Sequence, residues 1–161
     1  MTRPTVYLET SVVGYASSRP SRDIVIAARQ QLTQDWISVG RRVYELFVSQ
    51  LVIRETSAGH PDAARERLRF VQEFSVLAIT DSAGELAATL TKSGAVPGKA
   101  PEDALHIGVA AVHGVEFLLT WNCKHIANAM MRQRIESVCR DAGYEPPVIC
   151  TPEELIHDEP S

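Results

Sequence analysis

Short β-type runs alternating with helical patterns predict an α/β fold, a three-layer α/β/α sandwich around a mostly parallel sheet. Three observations carry this. Apolar or β-branched runs recur at 6–8, 43–48, 76–79, 117–120 and 148–149. The segments between them place apolar residues at helical spacing, and the joins are short and marked by Gly, Pro, Ser or Asp. Strands linked by helical crossovers pair in parallel, carry helices on both faces and bring their carboxyl ends to one edge. The length suits one domain over 1–152, with 153–161 as an acidic tail frayed from it.

The first run, Val6-Tyr7-Leu8, follows Pro4 and ends in Glu9-Thr10-Ser11. A carboxylate and two hydroxyls at the end of a strand suit a site at the carboxyl edge of a sheet, where open α/β folds hold their ligands. Thr10 or Ser11 would also serve as the cap of a following helix. A Ser/Arg/Pro loop over 17–23 leads to Asp23, where Ile24, Ala27, Ala28, Leu32 and Trp36 set out a helix. After the second run, Ser49 is placed to cap a helix over 50–57, on which Glu55 falls on or beside the apolar face of Leu51 and Val52. A carboxylate there needs a partner, because an unpaired buried charge is costly.

Gly59-His60-Pro61-Asp62 reads as a turn into a helix through Ala64, Leu68, Val71 and Phe74. The third run leads to Asp81 or Ser82 as cap of a helix through Leu86, Ala87 and Leu90. The stretch 101–125 organises the rest. Pro101, Glu102 and Asp103 have the form of a first helical turn, and Leu105, Ile107 and Val109 to Val112 cover most of the helix circumference until Gly114 stops it. Asp103 and His106 share a face. The run 117–120 ends in the polar elbow 121–125, a helix spans about 126–142, and Thr151-Pro152-Glu153-Glu154 has the form of a helix start.

Composition narrows the classes. The formal charge is −4, from 16 Lys and Arg against 20 Asp and Glu, which disfavours a protein that coats nucleic acid by bulk electrostatics. The charge is uneven: six arginines against three acids up to Arg42, and only acids from Glu145 onward, so a local basic face is compatible with an acidic chain. Cys123, Cys139 and Cys150 have no ligand spacing, and their odd number points to a reducing compartment. With no membrane-length apolar run and no leader pattern at Met1, a soluble cytoplasmic protein is expected.

The predicted topology sets Glu9 and the 120–122 elbow along one sheet edge, with Glu55 and Asp103 on helices able to reach it. Carboxylates gathered in this way repel unless a cation lies between them, and an all-oxygen set suits Mg²⁺ or Mn²⁺.

Residues 6–11, the helix acid Glu55, the Glu102-Asp103-Ala104-Leu105-His106 segment and Leu118-Leu119-Thr120-Trp121-Asn122 together resemble the PIN-domain family, and most of all its VapC-type toxins, over nearly the whole chain in the right element order. The resemblance implies a five-stranded parallel sheet and a metal-dependent endoribonuclease of a type II toxin–antitoxin pair. It places metal ligands on Glu9, Glu55 and Asp103, and a fourth catalytic position on Asn122. Thr10, Ser11, Thr120 and His125 would support metal-bound water or phosphate. An RNA substrate, an antitoxin offering an arginine to the acidic pocket, and a homodimer through the helices around 25–32 or 51–68 are implied with it.

Two positions depart from the family pattern. Glu9 is one methylene longer than the usual aspartate, and Asn122 keeps an oxygen while losing a charge. His106 and the cysteines read as packing residues, since in-line hydrolysis needs no protein nucleophile. The alternative function is a catalytically weakened PIN-like module that binds RNA or protein. A phosphoacceptor domain on a similar sheet would need an acceptor aspartate and a late-strand lysine, roles that Asp81 and Lys124 fill poorly.

Overall fold

The computed structural model describes residues 2–157. Its sheet has five strands, β1 (Thr5–Leu8), β2 (Glu45–Ser49), β3 (Ser75–Leu77), β4 (Phe117–Leu119) and β5 (Val148–Cys150), all parallel in the order β3-β2-β1-β4-β5. Between β1 and β2 lie α1 (Thr10–Ser17) and α2 (Ile24–Val43); between β2 and β3, α3 (Gln50–Thr56) and α4 (Pro61–Val71). Helices α5 (Asp81–Lys92) and α6 (Pro101–Val112) precede β4, and α7 (Ala129–Asp141) precedes β5. Helices α1, α2, α3 and α4 pack among themselves, as do α5, α6 and α7, giving the expected helical layers.

The strand order follows from burial. Val6, Tyr7 and Leu8 are wholly buried, which suits β1 to the centre of a sheet covered on both faces. The chain builds outward from β1 through β2 to β3, then returns to β1's other side with β4. The direction of winding therefore reverses between β1 and β4, and the crevice at their carboxyl ends is where such sheets bind ligands.

Several boundaries move from those the sequence predicts. Glu9, not Thr10 or Ser11, caps α1, its side chain accepting the Ser11 N–H. Helix α2 continues past Trp36 to Val43, with Arg41 and Arg42 favourably placed in its last turn. Gly40 leaves room there for the Trp36 ring, since a Cβ at that position would sit 2.7 Å from it. Thr80 caps α5 by accepting the Ala83 N–H, and Asp81 is the first residue inside the helix. Helix α7 begins later than predicted, capped by Asn128, because the Ile126 and Ala127 N–H groups both turn back to the Asn122 carbonyl.

Thr151 and Glu154 cap each other reciprocally, but only a turn follows rather than a helix. The predicted frayed end is described as far as His157. Over that part the Leu155 carbonyl accepts the Trp36 indole N–H, and the His157 ring meets Trp36 and Tyr44; Asp158 to Ser161 lie outside the described residues. Cys139 and Cys150 are core residues as expected, whereas Cys123 is exposed. Among the described residues no helix is long and apolar enough to cross a membrane.

Candidate active site

The site forms where β1 and β4 end side by side. The sheet pairing runs into it, since the Glu9 N–H donates to the Leu119 carbonyl beyond the β1–β4 ladder and the Thr120 N–H to the Cys150 carbonyl beyond the β4–β5 ladder. Glu9 is the first residue after β1 and only 5% exposed. Its Oε1 accepts the hydroxyls of Ser11 and Thr120, each at 2.5 Å, and its Oε2 accepts the Ser11 N–H at 3.1 Å. Each hydroxyl has one proton, and each spends it on Glu9; the oxygens then accept backbone N–H groups from the elbow, Trp121 to Ser11 and Asn122 to Thr120. Glu9 thus fixes the elbow to the start of α1. Trp121 anchors the elbow from behind, its indole donating to Thr33 Oγ1 of α2 at 2.7 Å under the guanidinium of Arg29.

Glu55 enters from the last turn of the seven-residue α3. Its Oε1 accepts the Thr10 hydroxyl at 2.7 Å and lies 2.6 Å from His106 Nε2. Burial acts to raise the Glu55 pKa, but the His106 bond and charge, the Thr10 bond and nearby Arg54 outweigh it and hold the carboxyl below its ordinary range. His106 Nε2 is also 3.8 Å from Glu9 Oε2, so the imidazole stands between two glutamates.

Asp103 lies in the first turn of α6. Its Oδ1 accepts from Asn122 Nδ2 at 3.1 Å, and its Oδ2 is 2.8 Å from His125 Nδ1. Asn122 Oδ1 accepts the His125 N–H at 3.0 Å, so the amide offers its nitrogen to Asp103 and commits its oxygen to the elbow. The bond from the Asn122 N–H to Thr120 joins this group to that of Glu9.

All eight residues singled out in the sequence therefore gather at this edge in two hydrogen-bonded groups, Glu9, Ser11, Thr120, Asn122, Asp103 and His125 in one and Thr10 and Glu55 in the other, with His106 Nε2, 3.8 Å from Glu9 Oε2, standing between them. Two more members were not legible as such. His106, read as packing, is buried and satisfied as expected, yet its partners are the acids themselves. Tyr7, read as strand core, reaches His106 Nδ1 with its hydroxyl at 2.6 Å. The available signal was the Asp103–His106 spacing on a helix otherwise apolar nearly all round.

Carboxylate, amide and hydroxyl oxygens are the donors a hard dication takes, so the residues fit Mg²⁺ or Mn²⁺ by donor type. As arranged, each carboxylate is engaged by protein donors, and among the described residues no three His, Cys, Asp or Glu side chains form a group that could hold a metal ion. A cavity of about 540 Å³ lies elsewhere, between the end of α1 and the start of α4, lined by Arg19, His60 and Arg65 among others.

No protein-family model matches the chain, and no curated protein matches it in sequence. Solved structures do. A chain of VapBC2 from Rickettsia felis, in a crystal structure bound to a DNA fragment from their promoter, superposes with a TM-score of 0.60 at 15% identity, covering 91% of this chain and 98% of that one. A tyrosyl-tRNA synthetase from Archaeoglobus fulgidus, complexed with L-tyrosine, gives a TM-score of 0.43 at 11% identity over 92% of this chain and 54% of that one. The superposition on the VapBC2 chain over nearly the whole of both chains, with the five-stranded parallel sheet, makes this a PIN-like α/β fold.

Proposed function

We propose that the protein is a metal-dependent endoribonuclease that hydrolyses RNA phosphodiester bonds, acting as the toxin of a toxin–antitoxin pair. The observation that carries this reading is the gathering of Glu9, Glu55 and Asp103 at the β1–β4 crevice of a PIN-like fold, Asp103 linked to Glu9 through Asn122 and Thr120, and Glu55 bonded to the His106 ring that stands beside Glu9. Glu9, Asp103 and Glu55 would hold Mg²⁺ or Mn²⁺. When bound, the ion supplies Lewis acidity and charge neutralisation at the scissile phosphate.

The chain's own groups orient and exclude. Ser11 and Thr120 immobilise the buried Glu9, while Asp103 and Glu55, with side chains 19% and 31% exposed, face the open side of the crevice. His125, its Nδ1 turned to Asp103, has Nε2 available for a phosphate oxygen. Among the described residues, the hydroxyl protons at the site are committed, those of Ser11 and Thr120 to Glu9 and that of Thr10 to Glu55, and burial pushes the Cys139 and Cys150 thiols up to about 11 and about 12. Water is then the attacking group.

The VapBC2 structure, solved on promoter DNA, supports an antitoxin as partner. An antitoxin arginine entering the crevice would pair with the same carboxylates. One observation favours a second reading, a weakened binding module: every carboxylate already has protein donors, and no three metal-binding side chains group together among the described residues.

Cleavage of a mixed pool of structured RNAs with Mg²⁺ or Mn²⁺, comparing wild type with Asp103→Asn, tests the proposal. Cutting that needs the ion and is abolished by the substitution is expected. Equal cutting by both proteins would point to another site or a contaminant, and no cutting with no divalent binding by calorimetry would leave the binding module.

A further inference from the structure

A histidine on an apolar helix is costly unless both ring nitrogens find partners. His106 is 1% exposed, and both do: Nδ1 at 2.6 Å from Tyr7 Oη and Nε2 at 2.6 Å from Glu55 Oε1. Because Glu55 accepts as a carboxylate, Nε2 carries the hydrogen. Tyr7 Oη is in turn 2.8 Å from Ser49 Oγ, which accepts the Val52 N–H as the cap of α3. Burial, opposed by the Ser49 bond and reinforced by the charges of Glu9 and Glu55, keeps the Tyr7 hydroxyl protonated far beyond its ordinary range.

This relay ties four elements at one point: Tyr7 from β1, Ser49 from the end of β2, Glu55 from α3 and His106 from α6. Glu55 needs such a brace. It sits on the last turn of a short helix, has a flexible side chain and is a third exposed, whereas Glu9 is packed in place by its own neighbours. A ring with both nitrogens bonded inside a wholly buried core has no alternative rotamer to visit.

We infer that His106, braced by Tyr7 and Ser49, is a positioning residue that presents the Glu55 carboxylate to the cation and sets its affinity. The inference rests on the metal-dependent reading above, and it gives the buried histidine a role that packing alone does not. Hydrogen-bond partners behind metal ligands typically change affinity by about 10- to 100-fold when removed.

The test is Mn²⁺ binding by calorimetry on the full chain. His106→Leu should weaken binding by about 10- to 100-fold, Tyr7→Phe should weaken it less, and His106→Gln, which keeps a side-chain donor, should restore most of the loss. Added to Glu55→Gln, His106→Leu should cost little more, because its effect acts through that carboxylate. Unchanged or tighter Mn²⁺ binding in folded His106→Leu and Tyr7→Phe, or full additivity with Glu55→Gln, overturns the inference.

Metal-free imidazole ¹⁵N spectra give an independent readout. The His106 Nε2–H signal should be protected in wild type and should shift in both Glu55→Gln and Tyr7→Phe; an exchanging signal indifferent to both substitutions also overturns the inference. A wild type with this signature but no saturable Mn²⁺ site would instead overturn the metal-dependent reading and, with it, the assigned effect on affinity.

Discussion

Glu9 shows how one side chain can organise a site. A buried carboxylate is tolerable only if its oxygens are well supplied with donors, and this one has two hydroxyls and a backbone N–H. The methylene that lengthens Glu9 relative to aspartate gives the reach to cap α1 and meet Thr120 at the same time. Thr120→Val keeps the shape of a fully buried residue while removing the donor to Glu9 and the acceptor for the Asn122 N–H. The expected loss of stability is about 1–3 kcal/mol, read from urea unfolding. No change would mean that Ser11 alone satisfies the carboxylate.

At the scale of elements, the site depends on how α6 is seated, since it carries both Asp103 and His106. Gly108 on α6 allows close approach to α5: a Cβ there would lie 2.5 Å from the Ala83 carbonyl oxygen and 3.4 Å from the Ala87 nitrogen. Both are backbone atoms and cannot rotate away. Gly108→Ala should therefore destabilise the fold by about 1–3 kcal/mol and displace α6, lowering the melting temperature and, on the proposed function, RNA cleavage together. Gly84, on α5 with open space where its Cβ would be, is the contrast. Gly84→Ala should leave the melting temperature unchanged or raise it, by up to about 1 kcal/mol of stability. Equal behaviour of the two variants would refute the close-approach argument.

At the scale of the whole molecule, the proposed homodimer requires a free apolar face. Ile24, Val25, Ile26 and Leu32 of α2 are all exposed, Ile24 at 86%, forming an apolar face at the start of the helix. In the other candidate face, over 51–68, the large apolar side chains Leu51, Val52, Ile53 and Leu68 are buried or half-buried in the monomer's own core, and the exposed positions are polar or small. The proposed homodimer is therefore expected to use α2. The wild type is expected to run as a dimer in light scattering and a double Ile24→Asp, Val25→Asp variant as a monomer. A variant that stays dimeric would move the interface elsewhere.

The sequence by itself determined the fold class and which polar residues would gather at one edge of the sheet. Hydrophobic periodicity and turn residues are local signals, so the five strands, Gly114 and Gly143 as helix stops at positive φ, and Ser49 as a cap could be read directly. The acids were legible because polar groups at strand ends and in first helical turns of an α/β chain converge on one edge. Tertiary structure decided what depends on contacts between distant residues: the length of α2 under Trp36, the docking of Leu155, and the bonding of Glu9 to a threonine 111 positions away. It alone turned His106 from a packing residue into the link between Tyr7 and Glu55. A side chain's burial and its partner are properties of the assembled sheet and helices, and no local pattern encodes them.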